Sequence, residues 1–461
     1  MLPNSLLDAL LAEAGISHAG LAARVNQAGR TRGLALRYEH TAVARWLKGQ
    51  RPRGQVPDLI CEVLAARLAR TVTLDDIGLG VPGTPAEPGP SPLAGFVDRA
   101  TALWRSDGQG RPQHLAAAAL TGTPAVMPVW EWENPPEDAD VARPACAAAA
   151  GGAAVGPEHI EVLRAARAHY ELLYRRAGGM ATRGRVVRFL GSETAPLLRG
   201  SYPDDLGRRL HRAAGSLVAV AGICAYDSDA HGLAQRYFHQ ALRLAKASGD
   251  RGLGAYVVAL LVNQSLHLGE YRQAVAFAEA ALRAAGARTT PALTADLYAM
   301  QAKAYARLGD GATALSCIGR AEEAAGRIRP AGEPDETGYV QPGLVNVQVA
   351  EALLALGDLA AAHAHAAAAV ASPAHDRGRV HRLAMLCEVE LRRGEVDRAG
   401  AAAAEMAERA RGMESRRLRD RLRTVRAALL ASGSAEARQA AGLVDEALRV
   451  PLWAAGTWST S

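Results

Sequence analysis

The chain has few aromatic residues and few cysteines, and it lacks long apolar runs. Aromatic side chains make up 5% of its 461 residues, and none of its five cysteines forms a CxxC pair, so neither a zinc ribbon nor a disulfide framework is indicated. No run of about eighteen apolar residues occurs, and the chain does not open with a basic segment followed by an apolar one. These absences predict a cytoplasmic protein without membrane contact.

Several common enzyme motifs are also missing. The sequence has no GxxxxGK[ST] phosphate loop, no HExxH zinc motif and no GxSxG nucleophile motif. His363 and His365, with His375 and His381, are candidate metal ligands. Residues two apart on a helix point to different sides, however, so we do not expect them to bind one ion together. We therefore predict no enzymatic activity, no metal and no cofactor.

The first eighty residues have the pattern of a small all-α domain of five helices, and its third helix is the most informative. Leucines at helical spacing predict a first helix that ends near Gly15, and Ser17 is a favourable N-cap for the second. The third helix is short, ends at Gly49, and has a narrow apolar side and a polar outer side. A helix of this kind can enter the major groove of DNA.

Two further helices complete the predicted domain. Pro57 lies where a first-turn proline is tolerated, and Thr73 and Asp76 suggest a capped short helix that ends at Gly78. The apolar positions expected to be buried in the first four of these helices are Leu6, Leu7, Leu10, Leu11, Leu21, Ala22, Val25, Ala42, Val43, Trp46, Leu47, Leu59, Ile60, Val63, Leu64 and Leu68.

Residues 24–53 are strongly basic, with eight arginines or lysines against one acid, Glu39. A basic surface favours DNA because binding releases counterions from the phosphates. Charge alone is a weaker sign than the helix pattern, since only three of the 53 basic residues in the chain are lysines and arginine is abundant throughout. The two signs coincide here, which favours DNA binding by this segment.

The motifs Ser17-His18-x-x-Leu21-Ala22 and Thr41-x-Val43-x-Arg45-Trp46-x-x-Gly49-x-Arg51 resemble the xenobiotic-response-element (Cro/repressor-like) helix-turn-helix family over residues 3–80. The chain departs from that family between its second and third helices, where Asn26 to Leu36 replaces a turn of about four residues. The resemblance implies base contacts by His40, Thr41 and Arg45. Together with the basic loop and turn, it implies phosphate contacts by Ser17, His18, Arg30, Arg32, Arg37, Lys48, Arg51 and Arg53.

Proline and glycine dominate residues 81–92, which predicts a linker after the first domain. We expect residues 81–157 to be largely flexible, apart from a local helix over 93–105 that buries Phe96, Val97, Leu103 and Trp104. Trp130 and Trp132 interrupt this segment, and we interpret them as a hydrophobic anchor on the body of the protein.

Residues 158–448 carry a repeated pattern in which a turn residue is followed by alanines five, nine and twelve positions later, with larger apolar residues in place of some alanines. Residues 449–461 are predicted to be a tail. Repetition of this kind indicates stacked helix pairs, an α-solenoid, because small residues are needed where helices approach closely. The copies are Asp229-Ala234-Phe238-Ala241, Gly269-Ala274-Ala278-Ala281, Gly309-Ala314-Ile318-Ala321, Gly357-Ala362-Ala366-Ala369 and Gly394-Ala399-Ala403-Met406.

Leu268-Gly269-Glu270-Tyr271-x-x-Ala274 and Leu308-Gly309-Asp310-x-x-x-Ala314 resemble tetratricopeptide repeats (TPR), although the turns recur at spacings longer than the usual 34 residues. Residues 225–245 are similar to actinobacterial regulators that join a helix-turn-helix to such repeats. The first helix of each pair would line a groove for a peptide or partner helix. Its predicted lining is Tyr256, Asn263, His267, Asp296, Lys303, Arg307, Glu351, His381, Glu388 and Arg392, where a solvated face of mixed charge is the alternative.

Within that groove, Asn263 is the strongest candidate, because its amide can donate to and accept from a peptide backbone, and Lys303 with Arg307 could hold a carboxylate. These features predict a cytoplasmic, nucleoid-associated transcriptional regulator that binds a double-stranded DNA operator as a homodimer, while its repeat domain senses a peptide, small molecule or protein. The alternative is a scaffold whose repeats bind a protein and whose first domain is a helical cap that does not bind DNA. A repeat-containing enzyme is a third, less favoured alternative.

Overall fold

The computed structural model describes residues 4–68, 72, 74, 76–79, 93–109, 117–143 and 154–449. Over these residues the chain is helical and has no strand, and extended pairing is limited to two isolated bridges, Arg143 with Tyr202 and Ala154 with Ser201. The predicted all-α class is confirmed. The chain divides into two compact units, Met1–Gly110 and Arg111–Ser461.

The first unit is built as its sequence predicts up to the fourth helix. The side chains of Asn4 and Ser17 cap the first two helices, and Gly15 ends the first in a left-handed conformation. Leu7, Leu21 and Val43 are fully buried in the core of the unit. Its helices are α1 Ser5–Ala14, α2 His18–Thr31, α3 His40–Leu47, α4 Val56–Leu68 and α5 Leu93–Gly108.

Two details of the first unit correct the sequence analysis. The helix α2 continues to Thr31, so the segment expected to be a loop from Asn26 onward is helical in its first half. Residues 76–78 form a turn instead of a short helix. The Asn4 side-chain amide donates a hydrogen bond to the Ile77 carbonyl oxygen at 2.8 Å. The turn is therefore bonded to the residue that caps the first helix instead of forming a helix of its own. Thr73 and the predicted linker 81–92 lie outside the described residues.

The second unit begins with a helix in a segment that was expected to be mobile. Residues 117–143 are ordered around α6, which packs on α11 and α13 of the array, and the helix predicted over 93–105 is also present as α5. The helices of this unit are α6 Thr123–Glu133, α7 Pro157–Ala177, α8 Gly179–Phe189, α9 Ala195–Leu198, α10 Asp204–Asp227, α11 His231–Ser248, α12 Arg251–His267, α13 Tyr271–Ala285, α14 Pro291–Leu308, α15 Gly311–Gly326, α16 Pro342–Leu356, α17 Leu359–Ala371, α18 Asp376–Arg393, α19 Val396–Arg409, α20 Arg416–Ala431 and α21 Ala435–Arg449, with a π-helical turn Leu190–Thr194 before α9.

The repeat pattern of the sequence is confirmed as a solenoid-like series of helix pairs from α10 to α21. Each of the five pattern turns has a positive φ, from 64° at Asp229 to 86° at Gly357. The alanines of the pattern are 0% exposed at all positions where it has alanine. The paired helices therefore meet through methyl groups, which allows the close approach that larger side chains would prevent. The predicted tail after Arg449 lies outside the described residues.

Charged groups and the indole of Trp132 fasten residues 117–143 to the array. Trp132 is 1% exposed and lies against Gly254 of α12, whereas Trp130 is 53% exposed. Only one of the two tryptophans is therefore an anchor. Arg243 of α11 forms two hydrogen bonds with the Asp138 carboxylate, at 2.6 and 2.8 Å. The array therefore orders residues 117–143 through ion pairs and apolar contacts that the composition of this segment does not predict.

One buried carboxylate joins the beginning and end of the array. Asp227, the last residue of α10, has a fully buried side chain that accepts hydrogen bonds from the Gly179 amide and the Ser415 hydroxyl, each at 2.7 Å. It also forms an ion pair with Arg377 in the first turn of α18. We call these four residues the Asp227 junction. Arg377 further stacks on Tyr174 of α7, so the array is closed between its first and last repeats.

No single described helix is long and apolar enough to cross a membrane. One pair of helices, Leu6–Ala14 and His18–Thr31, passes that test only when taken together, and the two are bent by 90°. The apolar side chains of this pair, such as Leu7 and Leu21, lie in the core of the first unit.

Candidate functional site

The short helix α3 is fixed by its apolar side and leaves its polar side open. Ala42, Val43 and Trp46 are buried, as predicted, and the Trp46 ring meets the edge of Tyr38 with ring centroids 5.1 Å apart. His40, Thr41 and Arg45 are exposed. The three side chains that were expected to read bases therefore face solvent in the first unit.

The basic segment before α3 is held in place by one amide. The Asn26 side chain accepts from the backbone N–H of Tyr38 and donates to its carbonyl oxygen, both at 2.8 Å. Leu36 lies so close to Gly29 that a Cβ at that position would be 2.6 Å from Leu36 Cδ1. The eight residues between α2 and α3 are thus anchored at two points, which fixes the start of α3 relative to α2.

All eleven residues expected to contact DNA are exposed. Arg32 forms an ion pair with Glu62 at 3.0 Å, and both side chains remain about half exposed. Arg37, Arg45, Lys48 and Arg53 form no ion pair with any residue that the structure describes. Four cations are therefore presented without internal neutralisation.

The starts of α2 and α3 lie side by side. Ser17, His18 and His40 line one open depression together with residues of α1. The Ser17 side chain caps α2 by accepting from the Gly20 amide at 3.1 Å, so its hydroxyl hydrogen remains available to an external acceptor. One hydroxyl and two imidazoles on this surface can donate to phosphate oxygens, while Asp8 also lines the depression.

The residues predicted to line a groove on the repeat array range from buried to exposed, and His267 is exposed. Tyr256 is 3% exposed and lies inside the array, so it does not line an open groove. Lys303 forms an ion pair with Glu351 at 2.9 Å, which gives Lys303 an internal carboxylate. Burial alone would raise the pKa of Glu351, but the charges of Lys303 and Arg421 lower it to about 2. Lys303 and Glu351, which were predicted to line a ligand groove, therefore pair with each other.

The other residues predicted to line the groove also differ in their exposure and in their partners. Asp296 is 3% exposed and accepts hydrogen bonds from the Tyr339 hydroxyl at 2.6 Å and the Gln348 amide at 2.7 Å, while burial raises its pKa. Arg307 and Arg392 are exposed near the ends of their helices, and Asn263 is half-buried. The structure therefore does not bring the predicted set together into one continuous groove.

The four histidines considered as metal ligands have separate partners. His363 Nε2 lies 3.0 Å from Glu390, while His365 Nδ1 lies 3.0 Å from Asn346. A different group of possible ligands, Asp229, His231 and His267, does converge, and the sequence analysis did not identify it. The available signal was the turn pattern, in which Asp229 stands where the other four copies have glycine.

The comparisons with known proteins bear on the first unit. A family model described as the SP15 N-terminal domain matches residues 7–80. This match has nearly the same boundaries as the domain predicted from the helix pattern, and it does not extend into the repeats. No curated protein matches the sequence.

Proposed function

We propose that the protein is a sequence-specific DNA-binding transcriptional regulator of the helix-turn-helix type. The observation that carries this proposal is the exposed surface of α3 and its flanks, where the side chains proposed to contact bases lie beside cations without ion-pair partners among the described residues. Arg45 can form a bidentate contact with guanine, while Lys48 and Arg53 neutralise phosphates. The match to the SP15 N-terminal domain gives the unit a boundary and no function.

The repeat array supports a role in partner binding and dimer formation in this proposal. Stacked helix pairs provide large surfaces for peptides, partner helices or a second copy of the chain. Because the interior is occupied by ion pairs, we place the partner surface on exposed residues such as Arg307 and Arg392. A homodimer would position two copies of α3 on half-sites one helical turn apart.

Selection of bound fragments from a genomic library, followed by fluorescence anisotropy of the full chain on the selected duplex, tests the DNA-binding proposal. Arg45→Ala should weaken binding by about 1–3 kcal/mol and relax sequence preference at one position, because a base contact is lost. Arg53→Ala should weaken binding similarly on all sequences and reduce the salt dependence by about one counterion.

Arg99→Ala is the matched control, since Arg99 is an exposed arginine of the same unit, on α5 and outside residues 24–53. It should leave affinity unchanged. Equal binding of the wild type to selected and random DNA would contradict the regulator proposal and favour the scaffold alternative. Light scattering of the free and bound protein gives the number of chains per duplex.

A further inference from the structure

We propose that Asp229, His231 and His267 form a binding site for a divalent transition-metal ion of the zinc class. The site lies within the second unit, where the turn between α10 and α11 meets the end of α12. It is independent of the proposed DNA-binding function.

The three side chains already have the arrangement of a ligand set. One ligand atom from each residue lies within 4.8 Å of the others, and His231 Nε2 is 2.9 Å from Asp229 Oδ1. The imidazole rings of His231 and His267 have their centroids 5.0 Å apart and are tilted by 41°. An ion between them would bond to all three after small side-chain rotations, because zinc ligands are about 2.0–2.2 Å from the metal.

The backbone at Asp229 gives independent support. Its φ of 64° makes it the only non-glycine residue with a left-handed backbone among the described residues. The equivalent turns of the other repeats have glycine, at Gly269, Gly309, Gly357 and Gly394, with φ between 79° and 86°. Glycine adopts this conformation without steric cost because it has no Cβ atom. A carboxylate is therefore present where the fold itself favours glycine, and backbone outliers of this kind cluster at functional sites.

An aromatic ring and a guanidinium lie beside the two imidazoles. The Tyr226 ring lies 5.6 Å from the His231 ring and 5.7 Å from the His267 ring, and Arg417 stacks on Tyr226 at 4.0 Å. Since Arg417 repels a cation, the negative charge of Asp229 is essential for binding.

Two histidines and one carboxylate leave further coordination positions for water or an external ligand. Imidazole and carboxylate together suit zinc, cobalt, nickel or iron(II) in preference to calcium or magnesium, which favour oxygen ligands alone. Asp229 is 46% exposed at its side chain, so an ion can reach the site from solvent.

The test is titration of the metal-free full chain with Co²⁺, followed by visible absorption, and then displacement of Co²⁺ by Zn²⁺ monitored by calorimetry. The wild type should bind one ion per chain. Asp229→Gly should reduce the affinity by about 100-fold or more, given that losing even a hydrogen-bond partner of a metal ligand costs about 10–100-fold. This variant keeps the turn that four other repeats build with glycine, so the fold is retained.

His267→Gln is the second ligand variant, and His363→Gln is the matched control because His363 also contacts a carboxylate on the array. His267→Gln should lose binding, and His363→Gln should keep it. Absence of saturable Co²⁺ binding by the wild type would overturn the proposal. Equal binding by the wild type, Asp229→Gly and His267→Gln would also overturn it, because the ion would then occupy other residues.

Discussion

Replacement of Asp227 by asparagine should destabilise the repeat array strongly. In the Asp227 junction one carboxylate oxygen accepts the Gly179 N–H, and the other accepts from the Ser415 hydroxyl and Arg377. Each oxygen therefore faces donors only. The amide nitrogen of an asparagine would face a donor in either orientation, and Arg377, with a side chain 11% exposed, would lose its counter-charge.

The magnitude follows from the burial of this pair. The Asp227 side chain has no exposed surface, so water cannot compensate for the lost charge. Removing one partner of a buried ion pair costs about 3–5 kcal/mol. Arg377 also stacks on Tyr174 at 4.8 Å, so it cannot leave the interior without disturbing α7. We expect Asp227→Asn to lower the free energy of unfolding by about 3–5 kcal/mol.

Urea unfolding followed by far-ultraviolet circular dichroism measures this loss. Asp397→Asn is the control, because Asp397 is an exposed acid on α19, and its change should stay within about 0.5 kcal/mol. A loss for Asp227→Asn of less than about 1 kcal/mol would refute the reasoning, since it would equal one ordinary hydrogen bond. A reduced slope against urea would indicate that opening of the junction precedes unfolding of the rest.

Three further changes have expected outcomes of known sign. Gly254→Ala should destabilise the protein by about 1–3 kcal/mol, because the new Cβ would lie 2.0 Å from Trp132 Nε1. Acidification should destabilise the array. Burial holds the pKa of His211 and His239 at about 4 in the folded protein, whereas unfolded histidines gain protons as the pH falls through 6.5. Stability is therefore lost as the pH falls from 6.5 to about 4, by up to about 3 kcal/mol for each of the two histidines. Asn26→Ala should lower the stability of the first unit by about 1–3 kcal/mol through loss of both hydrogen bonds to the Tyr38 backbone.

Each of these changes has a control. Gly184→Ala is the control for Gly254→Ala, and it should stabilise the protein by about 0.5–1 kcal/mol, because Gly184 lies in α8 with nothing within 4 Å of the added Cβ. An equal loss of stability in both variants would contradict the role of the contact with Trp132. His239→Gln should reduce the dependence of the urea midpoint on pH below 6.5. An unchanged dependence would contradict a contribution of His239 to the loss of stability in acid. Gln27→Ala, an exposed change one residue beyond Asn26, should have little effect, and equal losses would show that the Asn26 contacts do not decide stability.

Local patterns predicted most of the fold. The turn and alanine positions predicted the helix pairs because close helix approach requires small residues at regular intervals, and Ala234, Ala274 and Ala314 are all fully buried. The apolar face of α3 was predicted for a similar reason, since its three buried residues recur at helical spacing. Whether its outer face binds DNA stays a prediction.

The rest depends on contacts between residues far apart in the chain. The helix α6 contains Pro124 and Pro128 and follows a proline- and glycine-rich region, so composition favoured a flexible segment, yet its ion pairs and hydrogen bonds with the array keep it ordered. The groove prediction assumed that Lys303 and Glu351 face outward, because helical periodicity does not specify which side chains of neighbouring helix pairs meet. They pair because α14 and α16 pack against each other.

The Asp227 junction also limits how this array can change in evolution. Open arrays contact only their neighbours, so a whole helix pair can be duplicated or deleted with little disturbance elsewhere. Here the end of α10 meets the first turn of α18, and an extra pair inserted between them would carry Asp227 away from Arg377 and leave opposite charges stranded in the interior. This contact therefore constrains the number of helix pairs between α10 and α18, and it favours new binding surfaces that arise by substitution on existing helices.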